Sequence, residues 1–194
     1  MEDLLQQVRA CQHCAMYLPL GANPVVYASP SARLLIIGQA PGTRVHASGI
    51  PWDDASGDRL RNWLRLDKST FYDTTNIAIM PMGFCYPGRG KSGDLPPRPE
   101  CAPLWHRALL EQMPEIGLTL LVGNYAQRYY LADTALLKRH NTLTERVRHF
   151  TQAPPGLFPL PHPSPRNQLW LKKNPWFESE VLPELRRQVH TALN

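Results

Sequence analysis

Four short apolar runs punctuate the chain. Arg33-Leu-Leu-Ile-Ile-Gly38, Asn76-Ile-Ala-Ile-Met80 and Leu118-Thr-Leu-Leu-Val-Gly123 resemble one another in size, five or six residues each, and Leu157-Phe-Pro-Leu160 is a weaker fourth. Runs this short, without polar alternation, predict strands buried on both faces. Between them the apolar period lengthens. Gly57–Leu64 sets Leu60, Trp63 and Leu64 on one side of a helix with Ser56 as its N-cap, and Pro103–Met113, Tyr125–Leu131 and Glu178–Leu193 read the same way. Strands alternating with helices predict an α/β protein whose parallel sheet is covered on both faces and whose functional groups gather at the carboxyl ends of the strands. With 194 residues and no internal repeat or dividing linker, residues 1–194 are expected to form a single domain.

Composition changes this picture in one respect. Hydrophobic and charged fractions are ordinary, but the 20 prolines concentrate in Pro81–Pro103 and Pro154–Pro165, which predicts two long ordered loops. Loops of that kind usually carry the site. A formal charge of +5 favours a polyanionic partner. No stretch approaches the ~20 apolar residues of a membrane helix, and the N-terminus lacks a secretory pattern, so no membrane association and a cytoplasmic location are expected. In that reducing setting four cysteines suit ligands or free thiols better than disulfides.

Candidate chemistry falls at the strand ends. Gly38-Gln-Ala-Pro-Gly42 follows the first run, and its glycines and proline suit either close backbone approach to a ligand or a tight turn. Trp52, in Ser48-Gly-Ile-Pro-Trp52, offers an aromatic face for a flat heterocycle or a core side chain. Asn76 could read a pyrimidine edge with its amide, or could simply close a turn. In Pro161-His-Pro-Ser-Pro-Arg-Asn167, three prolines fix the backbone around His162, which could donate a hydrogen bond to an oxygen gaining charge. Cys11-Gln-His-Cys14 with Cys85 and Cys101 supplies four soft ligands, as a zinc site or a cubane iron-sulfur cluster requires.

Taken together, from Cys11 to about Trp176, these segments resemble the uracil-DNA glycosylase superfamily. The resemblance implies a three-layer α/β/α sandwich with a central, mostly parallel four-stranded sheet, and excision of uracil or a related deaminated base from single- or double-stranded DNA, without strand cleavage. The first two motifs are similar to those of the iron-sulfur class, which implies a [4Fe-4S] cluster on Cys11, Cys14, Cys85 and Cys101 in preference to zinc. His162-Pro-Ser-Pro-Arg-Asn167 is instead similar to the second motif of the single-strand-selective monofunctional enzymes. By that resemblance Gly38, Ala40, Pro41, Gly42, Trp52 and Asn76 would contact the base, with Trp52 stacking on it and Asn76 reading its edge. His162 and Gln39 would be catalytic. Ser164, Arg166, Asn167, Arg89 and Lys91 would contact DNA, Arg166 as a wedge in the duplex.

The first motif departs from the superfamily pattern. Ala40 stands where many members carry Asp or Asn, and Gln39 where the iron-sulfur class has glutamate; glutamine can hold a water but cannot take its proton. Asp53, Asp54 and His46 are reserve candidates for a base. Arg89, Lys91, Arg98, Arg166, Lys172 and Lys173 are expected to meet phosphates, so binding should weaken with salt. The expected particle is a monomer on DNA. Two other readings use the same residues: a catalytically silent binder of damaged DNA, and an iron-sulfur redox or sensor protein.

Overall fold

The computed structural model describes all of residues 1–194. The strands are β1 (Leu34–Ile37), β2 (Ile77–Ile79), β3 (Arg89–Gly90), β4 (Gly93–Asp94), β5 (Leu118–Val122) and β6 (Leu157–Leu160). The helices are α1 (Glu2–Arg9), α2 (Thr43–Ser48), α3 (Ala55–Leu64), α4 (Lys68–Phe71), α5 (Arg107–Glu111), α6 (Asn124–Tyr130), α7 (Ala135–Arg139), α8 (Leu143–Arg148), α9 (Gln168–Lys173) and α10 (Leu182–Leu193). Wider π-type turns at Ala102–His106 and Phe177–Val181 lead into α5 and α10. No helix is long and apolar enough to cross a membrane.

The four apolar runs form one parallel sheet in the order β2-β1-β5-β6. Alternate residues of each strand divide its two faces. Leu34, Ile36, Ile77, Ile79, Leu118, Leu120, Val122, Phe158 and Leu160 pack with Leu60, Trp63, Val147, Phe177 and Leu185, so α3, α8 and α10 cover that face. Leu35, Ile37, Ala78, Met80 and Leu121 pack with Leu5, Val8, Leu109, Ala126 and Leu136, so α1, α5, α6 and α7 cover the other. The three-layer expectation therefore holds. Pro159 is tolerated because β6 is an edge strand, where a missing N–H breaks no ladder bond on the open side.

Two local expectations are corrected. The cap of α3 is Asp54, whose carboxylate accepts the Gly57 N–H at 2.9 Å, and not Ser56. An ionised cap also complements the positive end of the helix, which a serine hydroxyl does less well. The proline-rich segment is no plain loop either: it carries the antiparallel β3-β4 hairpin, paired Arg89 to Asp94 and Gly90 to Gly93.

Candidate active site

At the carboxyl ends of β1 and β6 the chain opens into a cleft of about 470 Å³. Gly38, Gln39, Ala40, Pro41 and Gly42 form one wall, Trp52 and Asp54 a second, His162, Ser164, Arg166 and Asn167 a third, and the hairpin residues Ser92, Gly93 and Asp94 a fourth. Three separately identified segments thus meet around one cavity, as a parallel sheet with loops at its carboxyl edge dictates.

Trp52 owes its place to an unusual backbone. Its φ of 59° lies in the left-handed region, where a residue with a Cβ is disfavoured by about 1–2 kcal/mol. Its carbonyl accepts from Arg61 at 3.3 Å, and Gly57 must lack a side chain because a Cβ there would collide with that same carbonyl. The indole lies against Gly38, where an added Cβ would come within 2.7 Å of the ring. Its centroid stands 5.6 Å from that of His162, the rings tilted by 36°. A base held between two rings needs about 7 Å, twice a van der Waals separation, so the imidazole meets a base stacked on Trp52 at its edge and not as the far side of a sandwich.

His162 is held by its own loop. The Ser164 N–H donates to Nδ1 at 3.2 Å, and the Asn167 amide donates to the His162 carbonyl at 2.7 Å. With Nδ1 accepting, a neutral ring carries its proton on Nε2. Burial holds the imidazole below the ordinary histidine value, and the nearby charge of Asp54 pulls weakly the other way. The neutral, donating form is therefore the resting one. Ser164 and Asn167, expected at DNA, serve to brace this loop, and Arg59 donates to the Ser164 carbonyl at 2.9 Å.

Other expectations are redistributed. Asn76 is not in the cleft: it precedes β2 at the opposite edge of the sheet, its carbonyl receiving the N–H groups of Arg33 and Leu34 and its amide donating to Asp73 at 2.7 Å. The turn chemistry of Asp73–Asn76 claims the amide, so it cannot read a base. Of the reserve bases, only Asp54 lines the cleft. The His46 ring instead packs toward Tyr86, with Nδ1 buried and unpartnered. Arg166 donates to the Ser92 carbonyl at 3.0 Å and joins the hairpin to the His162 loop, so it is a strut across the rim and not a free wedge. Arg98 pairs with Glu100, covers the Tyr17 ring at 4.5 Å and lines the cysteine cavity, while Arg89, Lys91, Lys172 and Lys173 are exposed.

Asp94 and Ser92 were missed. Their signal was present in Arg89-Gly-Lys-Ser-Gly-Asp94, where paired glycines mark a hairpin turn.

The four cysteines are free thiols lining a second, small, largely apolar cavity with Leu18, Phe84 and Trp105. Burial pushes the Cys85 and Cys101 thiols up to about 11, while the backbone N–H groups of Asn23 and Phe84 aim at their sulfurs and act the other way. N–H donors to thiolates are what a bound cluster uses. No three His, Cys, Asp or Glu side chains are grouped so as to hold a metal, so the structure supports neither the iron-sulfur expectation nor zinc.

A model of the uracil DNA glycosylase superfamily matches residues 25–186. The chain belongs to that superfamily. Membership accords with the α/β fold and supports a DNA glycosylase-type function with DNA as the partner. The matched span contains the cleft walls and Cys85 and Cys101, and leaves Cys11 and Cys14 outside it.

Proposed function

We propose that this superfamily member hydrolyses the N-glycosidic bond of uracil, or a related deaminated base, in DNA, without cutting the strand. One observation carries the reading: His162 accepts a backbone N–H on Nδ1 and so keeps a donor on Nε2, beside the Trp52 ring in the cleft. Breaking the bond leaves negative charge on the base oxygens as positive charge develops on the sugar. A preorganised neutral donor stabilises that oxyanion from the start of the reaction, and removing one such donor costs about a hundred- to a thousandfold in rate.

Trp52 supplies the stacking face, Gln39 holds water through its amide, and Asp54, fixed by the Gly57 N–H, lends a negative charge to the developing sugar cation. The exposed Arg89 and Lys91 on the hairpin take phosphates along the rim. Extrusion of the base costs a few kcal/mol and costs least from single strands or mismatches, which favours those substrates.

Cys11, Cys14, Cys85 and Cys101 would hold a [4Fe-4S] cluster, which would supply charge and would cross-link the N-terminal segment to the proline-rich loop. Anaerobically purified protein should then be brown, with about four irons per chain; one zinc per chain and no iron would refute this.

The test of activity is incubation with uracil-containing single- and double-stranded oligonucleotides followed by alkali. Cleavage at the uracil position supports the reading, and intact strands at enzyme excess defeat it. The absence of an acid at Gln39 and Ala40 favours one second reading, a silent binder, which uracil-dependent retention without cleavage would select.

A further inference from the structure

The reaction proposed above needs a group to take the proton of the attacking water, and the first loop has none. Two carboxylates line the cleft, Asp54 and Asp94. They differ in what already occupies them. Asp54 Oδ1 is committed to capping α3 through the Gly57 N–H, so that oxygen is already engaged in holding the helix. The Asp94 carboxylate makes no hydrogen bond or ion pair within the protein and faces the first loop, its Oδ2 lying 3.7 Å from where a Cβ on Gly42 would stand. It reaches that position because the β3-β4 turn is pinned: Arg166 donates to the Ser92 carbonyl and its guanidinium packs under Gly93.

We propose that Asp94 is the general base of this site, taking its proton from a water held between it and the Gln39 amide. This rests on the glycosylase reading. The water oxygen bonds to C1′ as the C1′–N bond breaks. The bonding pair leaves on the base, where His162 Nε2–H meets the oxyanion; the water proton passes to Asp94, and solvent protonates the departing base. The acid normally carried by the first loop is thus delivered from a hairpin some fifty residues further along the chain, across from Gly42. Charged and titratable groups around Asp94 are Arg89 across the hairpin, Arg166 from the loop after β6, and Asp54 and His162 on the other cleft walls.

The test compares wild type with Asp94→Asn and Asp54→Asn under single-turnover conditions, on a uracil-containing single-stranded oligonucleotide and on its non-cleavable 2′-fluoro analogue for affinity. Asp94 is exposed on a two-residue strand, so the amide variant keeps its fold, checked by its melting temperature. Asp94→Asn should lower the rate about a hundredfold or more and leave the affinity for the analogue within a factor of about two, as removal of a pure proton acceptor demands. Asp94→Glu, which keeps a proton acceptor, should recover part of the lost rate, a readout that a merely structural role would not give. An active wild type whose Asp94→Asn variant keeps its rate, or in which only Asp54→Asn abolishes excision, overturns the assignment of Asp94 alone. A wild type inert on every substrate overturns it together with the reading on which it rests.

Discussion

Lowering the pH should destabilise this fold through one buried histidine. His106 is 2 % exposed, stacks on Phe84 with ring centroids 5.5 Å apart, and has both ring nitrogens engaged: Nε2 with the Pro81 carbonyl at 3.1 Å and Nδ1 with the Tyr130 hydroxyl at 2.7 Å. A carbonyl can only accept, so Nε2 carries the proton and Nδ1 accepts from Tyr130. Burial lowers the imidazole from 6.5 to about 4, with the Pro81 carbonyl opposing. In that interval the unfolded chain binds a proton that the folded chain refuses, so stability falls as the pH falls and is fully present only above the ordinary histidine value. At about 1.4 kcal/mol per pH unit, the loss reaches about 3 kcal/mol by pH 4. That is a large share of the 5–15 kcal/mol typical of a domain. Urea unfolding of wild type and His106→Gln between pH 7 and pH 4.5 measures it. The variant has no group to titrate and should be less stable at pH 7, but its stability should depend on pH less steeply by about one proton. Parallel pH profiles for the two proteins would refute the reasoning. Because Pro81 lines the cleft, the same titration should loosen the active-site wall before the protein unfolds.

Four further outcomes are expected. His162→Ala should reduce the single-turnover excision rate by about a hundred- to a thousandfold while leaving analogue binding nearly intact, and equal losses in both would argue against a transition-state role. Gly57→Ala drives a Cβ into the Trp52 carbonyl and should cost about 1–3 kcal/mol, or roughly 2–10 °C in melting temperature, along with activity; an unchanged melting temperature would contradict the geometry. Arg146 is fully buried and donates to Gln127, Asn124 and the His140 and Asn141 carbonyls, so Arg146→Leu strands those acceptors and should cost about 2–4 kcal/mol in a denaturant titration. Changing Arg89 and Lys91 together to Ala should flatten the log–log salt dependence of binding to duplex DNA by up to about 1.8, on the basis of two phosphate contacts at about 0.9 each; an unaltered slope would remove the hairpin from the DNA footprint.

The sheet was legible because a strand buried on both faces is apolar at nearly every position, and Leu34–Ile37 and Leu118–Val122, with Thr119 as the one polar side chain, show that pattern most plainly. His162 was legible for a related reason: the prolines around it restrict the backbone so severely that the sequence itself announces a fixed loop. Asn76 misled because an asparagine at a strand entrance is equally at home in a turn, and only the position of Asp73 decides which bond it makes. Arg166 looked like a free cation since its partner, the Ser92 carbonyl, is a backbone group 74 residues away that carries no side-chain signature. Asp94 was hidden in a similar way: paired glycines mark its hairpin, but its approach to Gly42, on a loop far back in the chain, depends on the Arg166 strut, which leaves no local pattern.

These misses share a physical cause that bears on how the site works. The cleft walls are joined mainly by backbone groups: the Met82 and Gly83 N–H groups donate to the Gly38 and Gln39 carbonyls, and the Gly123 N–H to the Leu160 carbonyl. Bonds of this kind bind one loop to the next regardless of residue type, so the cavity exists before any ligand arrives and little ordering is left for substrate binding to supply. They also tie the cleft to the separate cysteine cavity through the backbone, because Gly83, bonded to Gln39, is followed by Phe84, whose N–H points at the Cys101 sulfur. A group bound among the cysteines would therefore fix the segment that holds the first loop, and a rigid scaffold there is what a site without an acid at Gln39 or Ala40 requires if its base must come from a hairpin elsewhere in the chain.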